Sequence, residues 1–161
     1  MKKRTKMIIL LPIVIIIIVC VFVYTYQFST SPCQIESLTD LWIDNVTKAK
    51  DPEKIANMFC EDGNLVGTVS QIKRTGKDIE KYFDYFAKLP DLKVTDKKYT
   101  ISEIVPNVYV NTAFITWTWK GLDKPIVARM SFIFRNNCIF QLHSSALPDL
   151  NDDLKKVSGT A

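Results

Sequence analysis

The apolar and polar positions fall into successive patterns along the chain. Residues 7–24 are apolar throughout apart from one proline and one tyrosine, with a long Ile/Val run. At about 1.5 Å rise per residue they extend about 27 Å, enough to cross a hydrocarbon core, which predicts a membrane span. Further on, Leu38, Leu41, Trp42, Val46 and Ala49 recur at steps of three and four, the spacing of an amphipathic helix. Asp51-Pro52-Glu53 predicts a second helix: Asp51 can cap, Pro52 suits the first turn and Glu53 faces the positive end of the dipole. That helix shows Ile55, Met58 and Phe59 and is expected to stop near Gly63, before a short strand at Leu65 and Val66. Gly76 and Asp78 announce a third helix with the stripe Ile79, Tyr82, Phe83 and Phe86, closed by Leu89-Pro90. The period then changes to two, predicting strands over 99–104, 108–120, 126–134 and 138–145. Helices followed by antiparallel strands place the chain in the α+β class.

The last hairpin allows a register to be weighed. A two-residue turn at Asn136 and Asn137 sets Arg129 opposite Ser144 and mixes the two faces. A three-residue turn, Arg135 to Asn137, sets Phe134 opposite Cys138 and gathers Ala128, Met130, Phe132, Phe134, Cys138, Phe140 and Leu142 on one apolar face. Register follows the face that must be buried, so the three-residue turn is expected. It makes Arg129 and His143 direct cross-strand neighbours on the more polar face.

Charge sharpens the reading of the N-terminus. Lys2, Lys3, Arg4 and Lys6 equal the whole net charge of +4, leaving 17 basic against 17 acidic residues in the remainder. The basic balance is therefore topogenic, and no nucleic-acid partner is expected. The positive-inside tendency keeps residues 1–6 in the cytoplasm, makes 7–26 a single-pass signal anchor and puts the domain outside. Residues 27–34, rich in Ser, Thr and Pro, read as a linker, 35–150 as the domain and 151–161 as a flexible tail. The alternative is a cleaved signal peptide and a secreted domain, although the sequence after the apolar run lacks a small-residue cleavage site.

Cys20 lies within the apolar run, leaving Cys33, Cys60 and Cys138 with no C-x-x-C and no metal-ligand spacing. A disulfide between two of them and buried free thiols at Cys60 and Cys138 are both open readings. His143 is the one histidine and has no second ligand in view, so no metal and no cofactor are expected.

The residues Trp42, DPEKIANMFCEDGNLVGT (51–68), GKDIEKYFDYF (76–86), ARMSFIF (128–134) and HSSALP (143–148) resemble the nuclear transport factor 2-like superfamily. Within it they are similar to the association domain of calcium/calmodulin-dependent protein kinase II and its bacterial relatives. The resemblance runs over about two thirds of the chain, in the family's order. It implies a cone-shaped fold in which a curved antiparallel sheet wraps helices and leaves a pocket at its mouth. It also implies assembly through sheet faces, a homo-oligomer of at least two copies, and a pocket position for the arginine matching Arg129. The chain departs from the family in carrying Leu142-His143 where a His-His pair is common, and Met130 where an aromatic follows the arginine. No kinase lies on the chain, which has neither a glycine-rich nucleotide loop nor kinase catalytic signatures.

Candidate site residues follow from this reading. Arg129 would need acceptors if buried, either Asp62 or Glu61 in an ion pair or an anionic ligand. His143, Trp117, Tyr82 and Trp42 complete a ligand-binding set, with core packing as the plain alternative for the aromatics. A small anionic or amphipathic ligand is expected, held by a membrane-anchored oligomerisation domain that is not an enzyme. The alternative is an isomerase, cyclase or hydrolase-like enzyme of the same fold, using Asp62 as a pocket acid with Tyr82 and His143.

Overall fold

The computed structural model describes residues 15–17, 31–68 and 72–147. The chain divides into two compact units, Met1–Ser31 and Pro32–Ala161. In the first, Ile15, Ile16 and Ile17 are helical and exposed. The rest of the expected anchor at 7–26, the basic segment 1–6, Pro148 and the tail 151–161 lie outside the described residues. Among the described residues, no helix is long and apolar enough to cross a membrane.

The second unit opens with helix α1 (Pro32–Asp44), which begins inside the segment expected to be a linker. Its buried face is Ile35, Thr39, Trp42 and Ile43, whereas Leu41, expected on that face, is half exposed. The helix widens into a π-helical turn (Asn45–Ala49), closed by Lys50 at a φ of +51°. Asp51 then caps α2 (Pro52–Ala56) by accepting from the Lys54 backbone N–H at 3.0 Å.

The helix expected to reach Gly63 therefore ends after five residues. Phe59–Val66 instead forms strand β1, which lies parallel to the last strand. Cross-strand partners override the local helical spacing here: the Ile139 N–H donates to the Met58 carbonyl at 2.8 Å, and a disulfide joins Cys60 to Cys138. That bond replaces the free thiols allowed by the sequence and leaves Cys33 free and exposed. Gly63 sits where β1 slips register, and a Cβ there would come within 2.7 Å of the Ile139 carbonyl oxygen.

Strand β2 (Lys73–Thr75), not anticipated from the sequence, pairs with β1. Helix α3 (Lys77–Phe86) matches its expected stripe. Four long strands follow: β3 (Lys93–Val105), β4 (Val108–Thr118), β5 (Ile126–Arg135) and β6 (Cys138–Ala146). The sheet order is β2-β1-β6-β5-β4-β3, and the parallel β1–β6 pair makes it mixed rather than wholly antiparallel.

The core lies between the helices and one sheet face, where Trp42 meets Phe83, Trp117 and Phe132 edge-on at ring separations of 5.2–6.2 Å. Two polar links fasten α1 to the sheet. Asn111 Nδ2 donates to Thr39 Oγ1 at 2.8 Å in the core, and Asp40 accepts from Tyr99 and Lys97 at the periphery.

The β5–β6 hairpin corrects the expected register. Arg135 opposes Cys138 across a two-residue turn, with Asn136 and Asn137 at φ values of +50° and +67°, as a primed turn requires. A bulge at Phe140 then absorbs one residue, so Phe132 pairs with Leu142 and the apolar face is kept without a longer turn. Consequently His143 opposes Ser131 and Arg129 opposes Ser145, and the two are diagonal rather than direct neighbours.

Candidate functional site

Helix α3 directs Asp78, Lys81, Tyr82, Tyr85 and Phe86 toward one side, spaced by three and four residues. Facing them are Trp117 and Trp119 from the end of β4 and just beyond, with Ile126 and Ala128 from β5. Thr68, Ile72, Lys73 and Arg74 complete the wall of a cavity of about 760 Å³. Alternation along β4 and β5 puts Trp117 on the helix-facing side, opposite Ile126 in register.

The walls are aromatic and the rim is cationic. Phe86 meets Trp117 edge-on at 5.5 Å and stacks on Tyr82 at 6.1 Å, while the Arg74 guanidinium lies 4.9 Å from the centre of the Tyr82 ring. Among the described residues, Lys73, Arg74 and Lys81 stand against one lining carboxylate, Asp78, which pairs with Lys81 at 3.0 Å. Tyr85 and Ile72, 80% and 66% exposed, extend the apolar surface to solvent.

Tyr82 is the inward polar group of this wall. Burial pushes its phenol pKa up, against the opposing pull of Arg74 and a hydrogen bond from the Thr68 backbone, so it stays a neutral donor. The tyrosine reaches this position because Gly67 carries no side chain: a Cβ there would come within 2.8 Å of the phenol oxygen. Behind it lies a recess of about 20 Å³, which shares Thr68, Tyr82, Phe86 and Trp117 with the larger cavity.

The sequence-derived site residues separate into groups. Tyr82 and Trp117 face the cavity, and Trp42 is buried behind it as a wall of the recess. Arg129 and His143 lie on the other face of the sheet, both exposed, because odd-numbered positions of β5 point away from the helices. The cavity is therefore not beside Arg129 and His143. Asp62 is on the surface, ion-paired to Arg135 rather than to Arg129, and that guanidinium holds its carboxyl below the usual range. Neither Asp62 nor His143 is among the cavity residues. Lys73, Arg74, Lys81, Thr68 and Ser144 were not singled out from the sequence. The Lys73-Arg74 pair just before a helix start and the continuation of the α3 stripe through Lys81 were the available signals.

With helices on one face of a six-stranded sheet and an open-mouthed aromatic cavity between them, comparison with solved structures is decisive. This is a nuclear transport factor 2-like fold. A protein from Xanthomonas campestris, described as a calcium/calmodulin-dependent protein kinase II association domain, aligns at 26% identity and a TM-score of 0.62, over 76% of this chain and 96% of that one. A nuclear transport factor 2-like protein from Streptomyces avermitilis, described as a dehydratase, aligns at 10% identity and 0.62, over 72% and 95%. A protein from Catenulispora acidiphila with a ketosteroid isomerase-like fold, in complex with trimethylamine, aligns at 18% identity and 0.53, over 71% and 85%. No protein-family model and no curated protein matches the sequence. Among the described residues of this nuclear transport factor 2-like chain, no group of three or more His, Cys, Asp or Glu side chains could hold a metal ion.

Proposed function

We propose that the chain is a membrane-anchored association domain that self-assembles and holds a small amphipathic anion in the cavity between α3 and the β4–β5 face. The observation that carries this reading is the division of the cavity into an aromatic interior and a rim of Lys73, Arg74 and Lys81. Burying about 150 Å² of ligand hydrocarbon against Trp117, Trp119 and Phe86 would contribute about 4 kcal/mol. The rim cations would orient a sulfonate, phosphate or carboxylate at the mouth.

The anchor rests on the 7–24 apolar run and its basic prefix. The Cys60–Cys138 disulfide supports the outward location of the domain, since such bonds persist in oxidising compartments. Self-assembly is supported by the outer sheet face, where Phe114, Val127, Arg129 and His143 are exposed and no described helix covers them. A catalytic reading would need an acid in the cavity, and among the described residues Asp78, already paired with Lys81, is the carboxylate in its walls.

The test is titration of the full chain in nanodiscs with 8-anilinonaphthalene-1-sulfonate, following energy transfer from tryptophan and subtracting empty discs. Saturable transfer that weakens about tenfold in Lys73→Ala/Arg74→Ala is expected, the size of a charge-assisted contact. Transfer that does not saturate would remove the ligand from the proposal. Labelling Cys33 in intact cells with a membrane-impermeant maleimide tests the topology, and labelling only after lysis would reverse it.

A further inference from the structure

The recess behind the cavity holds polar groups that the proposed anion at the mouth does not use. Trp42 is 1% exposed, forms part of its wall and carries an indole N–H with no acceptor among the described residues. Indole nitrogen can only donate, and a buried donor without a partner costs about 1–3 kcal/mol. Thr68 and Ser144 line the same recess with their hydroxyl oxygens 2.6 Å apart. One of their two protons serves the bond between them, which leaves the other to be donated elsewhere. The Tyr82 phenol also lines the recess and carries a proton that it can donate to an acceptor.

The recess walls thus bring together three kinds of donor: an indole N–H, a phenol and an aliphatic hydroxyl. Among the described residues, no charged side chain is part of those walls. A carboxylate would be costly to bury there, and an ammonium would meet donors rather than acceptors. A neutral acceptor oxygen meets both conditions. About 20 Å³ accommodates one oxygen atom, as it would one water.

We infer that the recess is a subsite for a single neutral acceptor oxygen, a ketone or ester carbonyl at the inner end of the ligand, donated to by Trp42 and the Thr68–Ser144 pair. This rests on the cavity being a ligand site and adds the ligand's polarity: carbonyl inward, apolar body between the aromatic walls, anion at the mouth. The outer cavity alone would accept any amphipathic anion. The recess selects those with an oxygen at the far end.

The test compares two probes of similar shape, 2-acetylnaphthalene and 2-isopropylnaphthalene, the second lacking the acceptor. Each is titrated into the full chain in nanodiscs, with partition into empty discs subtracted, while the Trp42 indole N–H resonance is followed by nuclear magnetic resonance and assigned with Trp42→Phe. The ketone should bind about tenfold tighter, the size of one hydrogen bond in a dry site, and should move the Trp42 indole proton downfield. Trp42→Phe, which removes the indole donor from the recess and does not line the outer cavity, should shrink the preference. Equal affinities with the indole resonance unmoved, or a preference that survives Trp42→Phe in a chain whose thermal melt shows it folded, would overturn the subsite and leave the outer cavity standing. Failure of both probes to bind would overturn the cavity as a ligand site and the subsite with it.

Discussion

Two contacts between single residues show how the site and the fold around it are held. Gly67 lets the Tyr82 ring lie against the backbone, and the ring is held from its other sides by Phe83, Phe86 and Arg74. Gly67→Ala is therefore expected to destabilise the fold by about 1–3 kcal/mol through overpacking, read as a lower denaturant midpoint. Asp40 supplies a second, pH-dependent contact. Burial raises its pKa, but hydrogen bonds from Lys97 and Tyr99 outweigh that and hold it below the usual value of 3.8. A depressed carboxyl stabilises the fold above its unfolded pKa and loses that contribution as pH falls through the folded one. Thermal melts should show Asp40→Asn less stable than the parent at pH 7, with the gap closing below about pH 4. The effect should be modest, because the Lys97–Asp40 pair is about two-fifths exposed on each side. At this scale the sequence was legible where aromatic spacing speaks for itself: Tyr82 and Trp117 face the cavity as the helix and strand periods require. It was not legible for Gly67, Thr68 or Ser144, whose roles depend on what lies across the fold.

Elements were readable where their own period decides them, and misread where a distant partner does. Helix α3 and strands β4, β5 and β6 lie close to their expected limits. The 59–63 segment has helical spacing locally but becomes β1 because the edge of β6 offers it backbone partners. The β5–β6 turn shows the same limit: burial of one face was the right criterion, but a two-residue turn with a bulge satisfies it as well as a three-residue turn does. That exchange moved His143 from Arg129 to Ser131. The Cys60–Cys138 bond ties the start of β1 to the start of β6 across 78 residues. Loop-closure entropy for such a separation is about 4 kcal/mol, so reduction, or the Cys60→Ser/Cys138→Ser pair, should lower the unfolding free energy by up to that amount in urea titration.

For the whole molecule, the class was legible because helical segments followed by period-two strands are α+β, and the fold was legible only through the resemblance to nuclear transport factor 2-like proteins. The cavity's position was not, because both faces of the hairpin carry side chains that could line one. The outer face holds Phe114 opposite Arg129 in register, flanked by Thr112, Ser131 and Val127. If a second copy covers it, Phe114→Lys should shift the full chain in sedimentation from oligomer to monomer while the melting temperature of the tertiary fold changes by only a few degrees. An oligomer unaffected by Phe114→Lys would place the association elsewhere.

The parallel pairing of β1 with β6 also sets an order of events. Strands β3 to β6 form a meander of neighbours that can assemble from local hairpins. Strand β1 has only the three-residue β2 to lie against until β6 is in place, so the seam between the earliest strand and the final one is expected to close last. The Cys60–Cys138 bond spans that seam, and a chain that keeps it through unfolding starts its return with the long-range search already done.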